Sequence, residues 1–349
     1  MKTIKTLLFI ALFFLNIHFS VGQDVIELPL KSVDKEYFEL KKVLEKMDAS
    51  DNQKSIELSN KALSKFKDPE IRYYLMFWEL SFHYANLKQY DQCFDILQKG
   101  QKEGFFYFLR NEDNTFPEYI TELKKLDGFD VFIQKNTLLK EEASKTANTE
   151  FMIQLPENYN KNNKYPLLLI LHGGIGNIPD LQMDYMSDKL KTGFILAYFH
   201  GASLAGTYTR AFSNGWAGRV KKGYDQIITK YAVDSTKVII AGPSAGGARS
   251  IILGVNYIIP AKGLLLSFAV TPGGIDSTTY INSAKRGLKI ALLCGENDWA
   301  IKAQKELGVN LDKYGFTNRF VVFPEKGHEY PDNWSYHLDT SLEFILKEE

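Results

Sequence analysis

The chain has 349 residues, 45% of them hydrophobic, which is enough for two domains with buried cores. Lysine plus arginine and aspartate plus glutamate each number 42, so the charge is balanced. This balance argues against a polyanion-binding role, and we expect no nucleic-acid partner.

The first 22 residues have the pattern of a secretory signal peptide. Two lysines precede an apolar run from Leu7 to Leu15, and Ser20 and Gly22 form a small-x-small cleavage pattern. The apolar run is short for a bilayer span, although an uncleaved anchor is the alternative. We expect cleavage after Gly22, a periplasmic or secreted protein, and no membrane span in the mature chain.

The sequence contains two cysteines, Cys93 and Cys294, and neither belongs to a cluster with metal-ligand spacing. Both lie in apolar segments, so we expect two buried thiols and no disulfide. We expect no metal ion and no cofactor.

Residues 30–147 are predicted to form a helical domain. Asp68-Pro69-Glu70 supplies a cap, a fixed φ and a first-turn acid for one helix, and Tyr90, Cys93, Phe94 and Leu97 share a face of the next. The 34 residues from Ile71 to Gly104 resemble one tetratricopeptide-type hairpin, although such arrays usually need at least three copies. This domain is the candidate site for a protein partner.

Two more features of the helical domain are predicted from the sequence. The aromatic stretch from Phe105 to Phe108 is interpreted as core, with a peptide-binding face as the alternative. Phe129 to Lys145 is predicted to be the last helix, and the polar residues 141–148 contain the domain boundary.

Residues 149–349 alternate apolar strands with helical segments. Phe151 to Leu155 is predicted to be an edge strand, and buried strands are expected at 167–171 and 194–199. Further strands are expected at 238–242, 264–270, 288–294 and 320–323. A final helix is expected near 335–347. This alternation predicts an α/β fold with a mostly parallel, doubly covered sheet.

Three polar side chains follow strands of this predicted sheet. Ser244 stands in Gly242-Pro243-Ser244-Ala245-Gly246, between a strand and a helix, and Asp298 and His328 follow two later strands. Ligands of such sheets bind beyond the carboxyl ends of the strands. The order Ser, Asp, His along the chain is that of an α/β-hydrolase triad.

From Thr149 onward the chain resembles α/β-hydrolase serine esterases of the dienelactone hydrolase, feruloyl esterase and polyhydroxybutyrate depolymerase kind. The resemblance rests on four motifs, which are Leu171-His172-Gly173-Gly174, Gly242-Pro243-Ser244-Ala245-Gly246-Gly247, Gly295-Glu296-Asn297-Asp298 and Gly327-His328-Glu329-Tyr330-Pro331. It covers about two thirds of the chain and implies an esterase on a doubly wound sheet.

The residues are assigned roles as follows. Ser244 is the candidate nucleophile, His328 its base and Asp298 the carboxylate that orients His328. Rival groups are His172, His200 and His337 for the base, and Glu296 and Asp332 for the carboxylate. The backbone N–H groups of Gly174 and Ala245 are the expected oxyanion donors.

Two further predictions concern the surroundings of Ser244. Trp216, Trp299 and Tyr330 are candidate substrate contacts, with packing as the alternative, and the polar connection from Tyr208 to Trp216 is a candidate lid. Pro243 fixes φ and lacks an N–H, so it raises the question of whether the turn keeps its usual geometry.

The sequence as a whole predicts an exported serine hydrolase that cleaves carboxylic esters of small molecules or carbohydrates. Two alternatives stay open. One is a peptidase on the same fold, and the other is a non-catalytic interaction protein that uses the helical domain.

Overall fold

The computed structural model describes residues 24–47, 51–109 and 118–348. The predicted signal peptide lies outside these residues. Within them, no helix combines the length and apolar character needed to cross a bilayer.

Ten strands lie in the described residues: β1 (Val25–Leu28), β2 (Thr149–Gln154), β3 (Tyr165–Leu171), β4 (Ile195–His200), β5 (Ser203–Leu204), β6 (Arg210–Ala211), β7 (Val233–Pro243), β8 (Gly263–Ser267), β9 (Lys289–Gly295) and β10 (Asn318–Phe323). Eight of them form one sheet in the order β1-β2-β4-β3-β7-β8-β9-β10, and β5 pairs with β6. Only the β2–β4 pair of the large sheet is antiparallel among these residues.

Helices cover both faces of the sheet: α8 (Ile178–Asp184), α9 (Asp188–Gly193) and α14 (Trp334–Leu346) on one, and α10 (Trp216–Lys230), α11 (Ala245–Val255), α12 (Ser277–Lys285) and α13 (Ile301–Tyr314) on the other. Strand side chains alternate between the two layers. In β3, Leu167 and Leu169 pack in the second layer, and Leu168 and Ile170 in the first. The predicted α/β fold, with a mostly parallel sheet covered on both faces, is confirmed.

One sequence prediction about this sheet is wrong. The strand after the helical domain, β2, is not an edge strand, because β1 pairs with it in parallel register from Val25↔Thr149 to Leu28↔Met152. The partner comes from the other side of the helical domain, more than 120 residues earlier in the chain. Local sequence pattern cannot indicate a pairing over that distance.

The helices between β1 and β2, called the helical domain below, are α1 (Lys35–Glu45), α2 (Asn52–Lys65), α3 (Pro69–Tyr74), a π-helical stretch (Leu75–Leu80), α4 (Ser81–Asn86), α5 (Tyr90–Lys102), α6 (Glu118–Leu123) and α7 (Phe129–Ser144). The predicted cap is present, since the Asp68 side chain accepts a hydrogen bond from Glu70 N and Pro69 occupies the first turn. The Arg72–Glu103 ion pair joins the start of α3 to the end of α5, so the two segments form an antiparallel hairpin. The resemblance to a tetratricopeptide unit stays a prediction.

The aromatic stretch after α5 is core, as predicted. Phe105 and Tyr107 are 3% and 2% exposed and belong to the core of the helical domain. Phe106 packs instead with Ala147 and Leu204, where the two domains meet.

Candidate active site

Ser244 occupies the sharp turn between β7 and α11. Its φ of 52° and ψ of −123° lie in a region that residues with a side chain rarely adopt. The close approach of β3 explains the neighbouring glycines, because a Cβ on Gly246 would lie 2.2 Å from Leu171 O and one on Gly242 2.6 Å from the same atom. Pro243 ends β7 without preventing this conformation.

Two backbone hydrogen bonds fix the turn against the end of β8. Ser244 N donates to Ser267 O at 2.8 Å, and Val270 N donates to Ser244 O at 3.1 Å. The segment 267–270 therefore lies beside Ser244. Its Phe268 ring contacts the imidazole of His328 at a centroid distance of 5.4 Å, so this segment contacts both Ser244 and His328.

Asp298 and His328 are brought together after β9 and β10. His328 Nδ1 lies 3.0 Å from Asp298 Oδ2, and the Asp298 side chain is fully buried. The other carboxylate oxygen, Oδ1, accepts a hydrogen bond from Ala300 N at 2.7 Å, and Cys294 Sγ donates to Oδ2 at 3.6 Å. The carboxylate is thus held on both oxygens, which fixes the direction it presents to the imidazole.

The rival residues point elsewhere. Glu296 accepts from Glu325 N, and Asp332 is largely exposed and pairs with Lys46. Among the histidines, His200 pairs with Glu150 and His337 packs on Phe323. Of the three candidate carboxylates, Asp298, Glu296 and Asp332, Asp298 is the one within hydrogen-bond distance of His328.

The predicted oxyanion donors belong to the helix that follows Ser244 and to the loop after β3. Ala245 is the first residue of α11, where a backbone N–H has no partner within the helix. Gly174 is in the loop after β3, and the preceding Gly173 approaches Ser244 closely, since a Cβ on it would lie 3.7 Å from Ser244 Cβ. The start of α11 and the loop after β3 thus both lie next to Ser244.

His172 shapes the loop after β3. Burial lowers the pKa of His172 well below its usual value, so the ring is neutral. Gly201 N donates to its Nε2 at 3.2 Å, which leaves the proton on Nδ1, and Nδ1 lies 3.0 Å from Gly173 O. The imidazole therefore donates to the carbonyl of Gly173 and is already engaged on both nitrogens.

The three aromatic residues predicted to contact substrate lie in different places. Trp299 is 69% exposed and stacks on His328 at 5.3 Å. The Tyr330 ring packs between Phe268 and Trp334, with its hydroxyl buried. Trp216 lies on the other side, at the start of α10, against Phe212. Only Trp299 of the three contacts a member of the Asp298–His328 pair directly in the described part of the chain.

The first part of the predicted lid, residues 208–211, belongs instead to a docked β-hairpin formed by β5 and β6. Tyr208, at its tip, packs against Tyr73 and Phe105 in the core of the helical domain. Arg210, at its base, pairs with Glu150. Sequence reasoning missed this because the partners of the hairpin lie in a different domain.

Arg249 is a second feature that the sequence analysis missed. It is the sole charged residue of α11, an otherwise small and apolar helix, and its guanidinium contacts the loop of Gly173. The sequence feature that could have indicated a role for Arg249 is a single arginine about one turn after the Gly-x-Ser-x-Gly pattern. Residues 24–47, 51–109 and 118–348 contain no cluster of three histidine, cysteine or acidic side chains suited to a metal ion.

No family model matches the chain. No curated protein matches it either. Similar solved structures include an uncharacterized protein from Bacillus cereus, with 18% identity, a TM-score of 0.47, and coverage of 89% of this chain and 98% of that one. A ferulic acid esterase has 18% identity and a TM-score of 0.46, with coverage of 56% and 90%. A fluorophosphonate-binding serine hydrolase from Staphylococcus aureus has 15% identity and a TM-score of 0.43, with coverage of 57% and 92%.

Proposed function

We propose that this protein is an exported serine hydrolase that cleaves carboxylic esters, acyl esters of carbohydrates among them. The observation that carries the proposal is the hydrogen bond of 3.0 Å between His328 and the buried Asp298. Both residues follow the carboxyl ends of strands, as does Ser244 with its positive φ. Export rests on the sequence pattern of residues 1–22 alone.

In the acylation step, Ser244 Oγ attacks the ester carbonyl carbon while His328 Nε2 takes the hydroxyl proton. Asp298 accepts the hydrogen bond from Nδ1–H, holds this tautomer and stabilises the imidazolium that forms. The N–H groups of Ala245 and Gly174 donate to the oxyanion of the tetrahedral intermediate. Collapse of the intermediate breaks the ester C–O bond, and His328 returns the proton to the departing alcohol.

Deacylation repeats these steps with water. His328 takes a proton from the water molecule, the hydroxide attacks the acyl carbon, and the second intermediate releases the carboxylic acid and the Ser244 hydroxyl. The neutral His172 is unsuited to replace His328, because both its nitrogens are engaged by the backbone.

The exposed indole of Trp299 supports a ring-shaped group in the substrate. It stacks on His328 and leaves more than half of its surface in solvent, so a sugar or aromatic ring of the substrate has a flat apolar partner beside the base. The same position suits the alcohol portion of the ester, which receives its proton from His328.

The test uses the purified mature protein with short-chain aryl esters, acetylated and feruloylated sugars, and a serine-directed fluorophosphonate. We expect ester cleavage and labelling of Ser244, with both lost in Ser244→Ala, and a fall in kcat of about 10⁴-fold or more. Mass spectrometry of the labelled peptide identifies the modified residue.

Ser277→Ala, an exposed serine on α12, is the matched control and keeps full activity. Ester cleavage or labelling that persists in Ser244→Ala contradicts the assignment. Anilides of the same acyl groups, measured beside the esters, separate an esterase from a peptidase.

A further inference from the structure

Arg249 connects the helix after Ser244 to the loop after β3. Its Nη1 donates to Gly173 O at 3.0 Å and approaches His172 O at 3.4 Å. The guanidinium lies over the Phe212 ring at 4.7 Å and near the Trp216 ring at 6.0 Å. These contacts hold the side chain in one orientation against the loop.

The charge of Arg249 is not matched by an acid. Burial lowers the pKa of Arg249 to about 10, and no carboxylate among the described residues offsets this effect. Burying part of a guanidinium without a carboxylate partner costs free energy. Contacts other than an ion pair must therefore stabilise Arg249 in this position. Its hydrogen-bond partners are the two carbonyls of the loop.

The carbonyl of Gly173 accepts two hydrogen bonds, one from Arg249 Nη1 and one from His172 Nδ1. In a trans peptide the C=O and the following N–H point in opposite directions. Holding Gly173 O toward Arg249 and His172 therefore turns the N–H of Gly174 toward the opposite side of the loop. Glycine at both positions leaves this peptide plane free to rotate unless something holds it.

We propose that Arg249 is a positioning residue that locks the Gly173–Gly174 peptide plane, so that the Gly174 N–H is presented to the oxyanion. This rests on the proposed esterase function, in which Gly174 is an oxyanion donor. His172 shares the task from the other side of the carbonyl. Phe212 and Trp216 hold the guanidinium in place, which gives Trp216 a role away from the substrate.

The test compares Arg249→Met and Arg249→Lys with the wild type on one aryl ester. Removing an oxyanion donor outright costs about 10²–10³-fold in kcat, and His172 remains, so we expect kcat to fall about 10–100-fold in Arg249→Met. KM changes less than about threefold, and affinity for an arylboronic acid falls in parallel with kcat, because the donor acts on the tetrahedral state. Arg249→Lys keeps one donor and recovers part of the loss.

Arg286→Met is the matched control. Arg286, which follows α12, also lies 4.7 Å from an aromatic ring, that of Tyr257, and donates to a backbone carbonyl at 3.0 Å, that of Val255. The Arg286→Met variant loses an aromatic contact and a hydrogen bond of the same kind at an exposed position, and keeps its kcat within about twofold. Equal losses of kcat in both variants, or a change in KM alone for Arg249→Met, overturn the proposal.

A crystal structure of Arg249→Met provides the readout that does not depend on turnover. We expect the Gly173–Gly174 peptide to rotate or to adopt two orientations. An unchanged peptide plane overturns the positioning role. If instead the wild type and Arg286→Met lack activity while the peptide rotates in Arg249→Met, the esterase function fails and the structural role of Arg249 stands.

Discussion

At the residue scale, the strained conformation of Ser244 is held by its neighbours. A non-glycine residue in such a region of φ and ψ costs about 1–3 kcal/mol, which the surrounding structure must offset. The hydrogen bonds to Ser267 and Val270 fix the turn from one side, and the close contact of Gly246 with Leu171 fixes it from the other. The strand before the turn and the helix after it therefore meet β3 at backbone distance.

Gly246→Ala tests this close approach. The added Cβ would lie 2.2 Å from Leu171 O, a backbone atom that cannot move alone, so we expect the free energy of unfolding to fall by about 3 kcal/mol and kcat to fall with it. Gly218→Ala is the control, since a Cβ at Gly218 meets nothing within 4 Å. Replacing an exposed helical glycine by alanine raises the free energy of unfolding by about 0.5–1 kcal/mol. Denaturant titration measures both, and equal stabilities would contradict the packing argument.

At the element scale, the β5–β6 hairpin links the helical domain to the loop after β3. Thr207 exchanges hydrogen bonds with Phe106, whose N donates to Thr207 Oγ1 at 2.8 Å and whose O accepts from Thr207 N at 3.0 Å. At the other end, Gly176 and Arg210 exchange two backbone hydrogen bonds of 3.0 Å and 2.9 Å. The helical domain thus supports the loop that carries Gly174.

Thr207→Val tests this link. The variant keeps the shape of the side chain but leaves the buried Phe106 N–H without its acceptor, so we expect a loss of about 1–3 kcal/mol in unfolding free energy. Amide hydrogen exchange should accelerate over residues 203–211 and at Gly176. Thr137→Val, on the exposed side of α7, changes neither. Acceleration confined to Phe106 would show that the hairpin does not transmit the disturbance.

At the scale of the whole molecule, the chain enters the eight-stranded sheet twice. β1 precedes the helical domain and β2 follows it, and the two strands pair side by side. Val25 belongs to the core of the sheet with Phe151 and Phe199. Glu27 of β1 contacts Lys230, the last residue of α10, and Tyr231, which follows it. Both ends of the helical domain therefore continue into adjacent strands at one side of the sheet.

A pair of substitutions in β1 tests this arrangement. Val25 is 5% exposed and Ile26 is 42% exposed, because neighbouring residues of a strand face opposite sides. Val25→Asp buries a carboxylate in an apolar core and should cost about 3–5 kcal/mol, seen as a drop in Tm of roughly 6–20 °C. Ile26→Asp should cost less than about 1 kcal/mol. Equal effects of the two would mean that β1 is not part of the sheet.

The sequence predicted the positions of strands and helices better than it predicted which of them pack against each other. The strands β3, β4, β7, β8, β9 and β10 and the final helix lie close to where apolar runs and periodicity predicted them. These are local properties, since each of these strands reads as an apolar run, and those inside the sheet are buried on both faces, whereas β10 at the end of the sheet is mostly half-buried. The antiparallel hairpin after Asp68 and the aromatic core after α5 were predicted for the same reason.

What the sequence determined by itself is the type of fold and the identity of Ser244, Asp298 and His328 as residues at the carboxyl ends of strands. The tertiary structure decided the pairing of β1 with β2, the docking of the β5–β6 hairpin, and the contact of Arg249 with Gly173. Each of these joins segments from about 76 to more than 120 residues apart. Periodicity reports which face of an element is buried, and it contains no information on which distant segment covers that face.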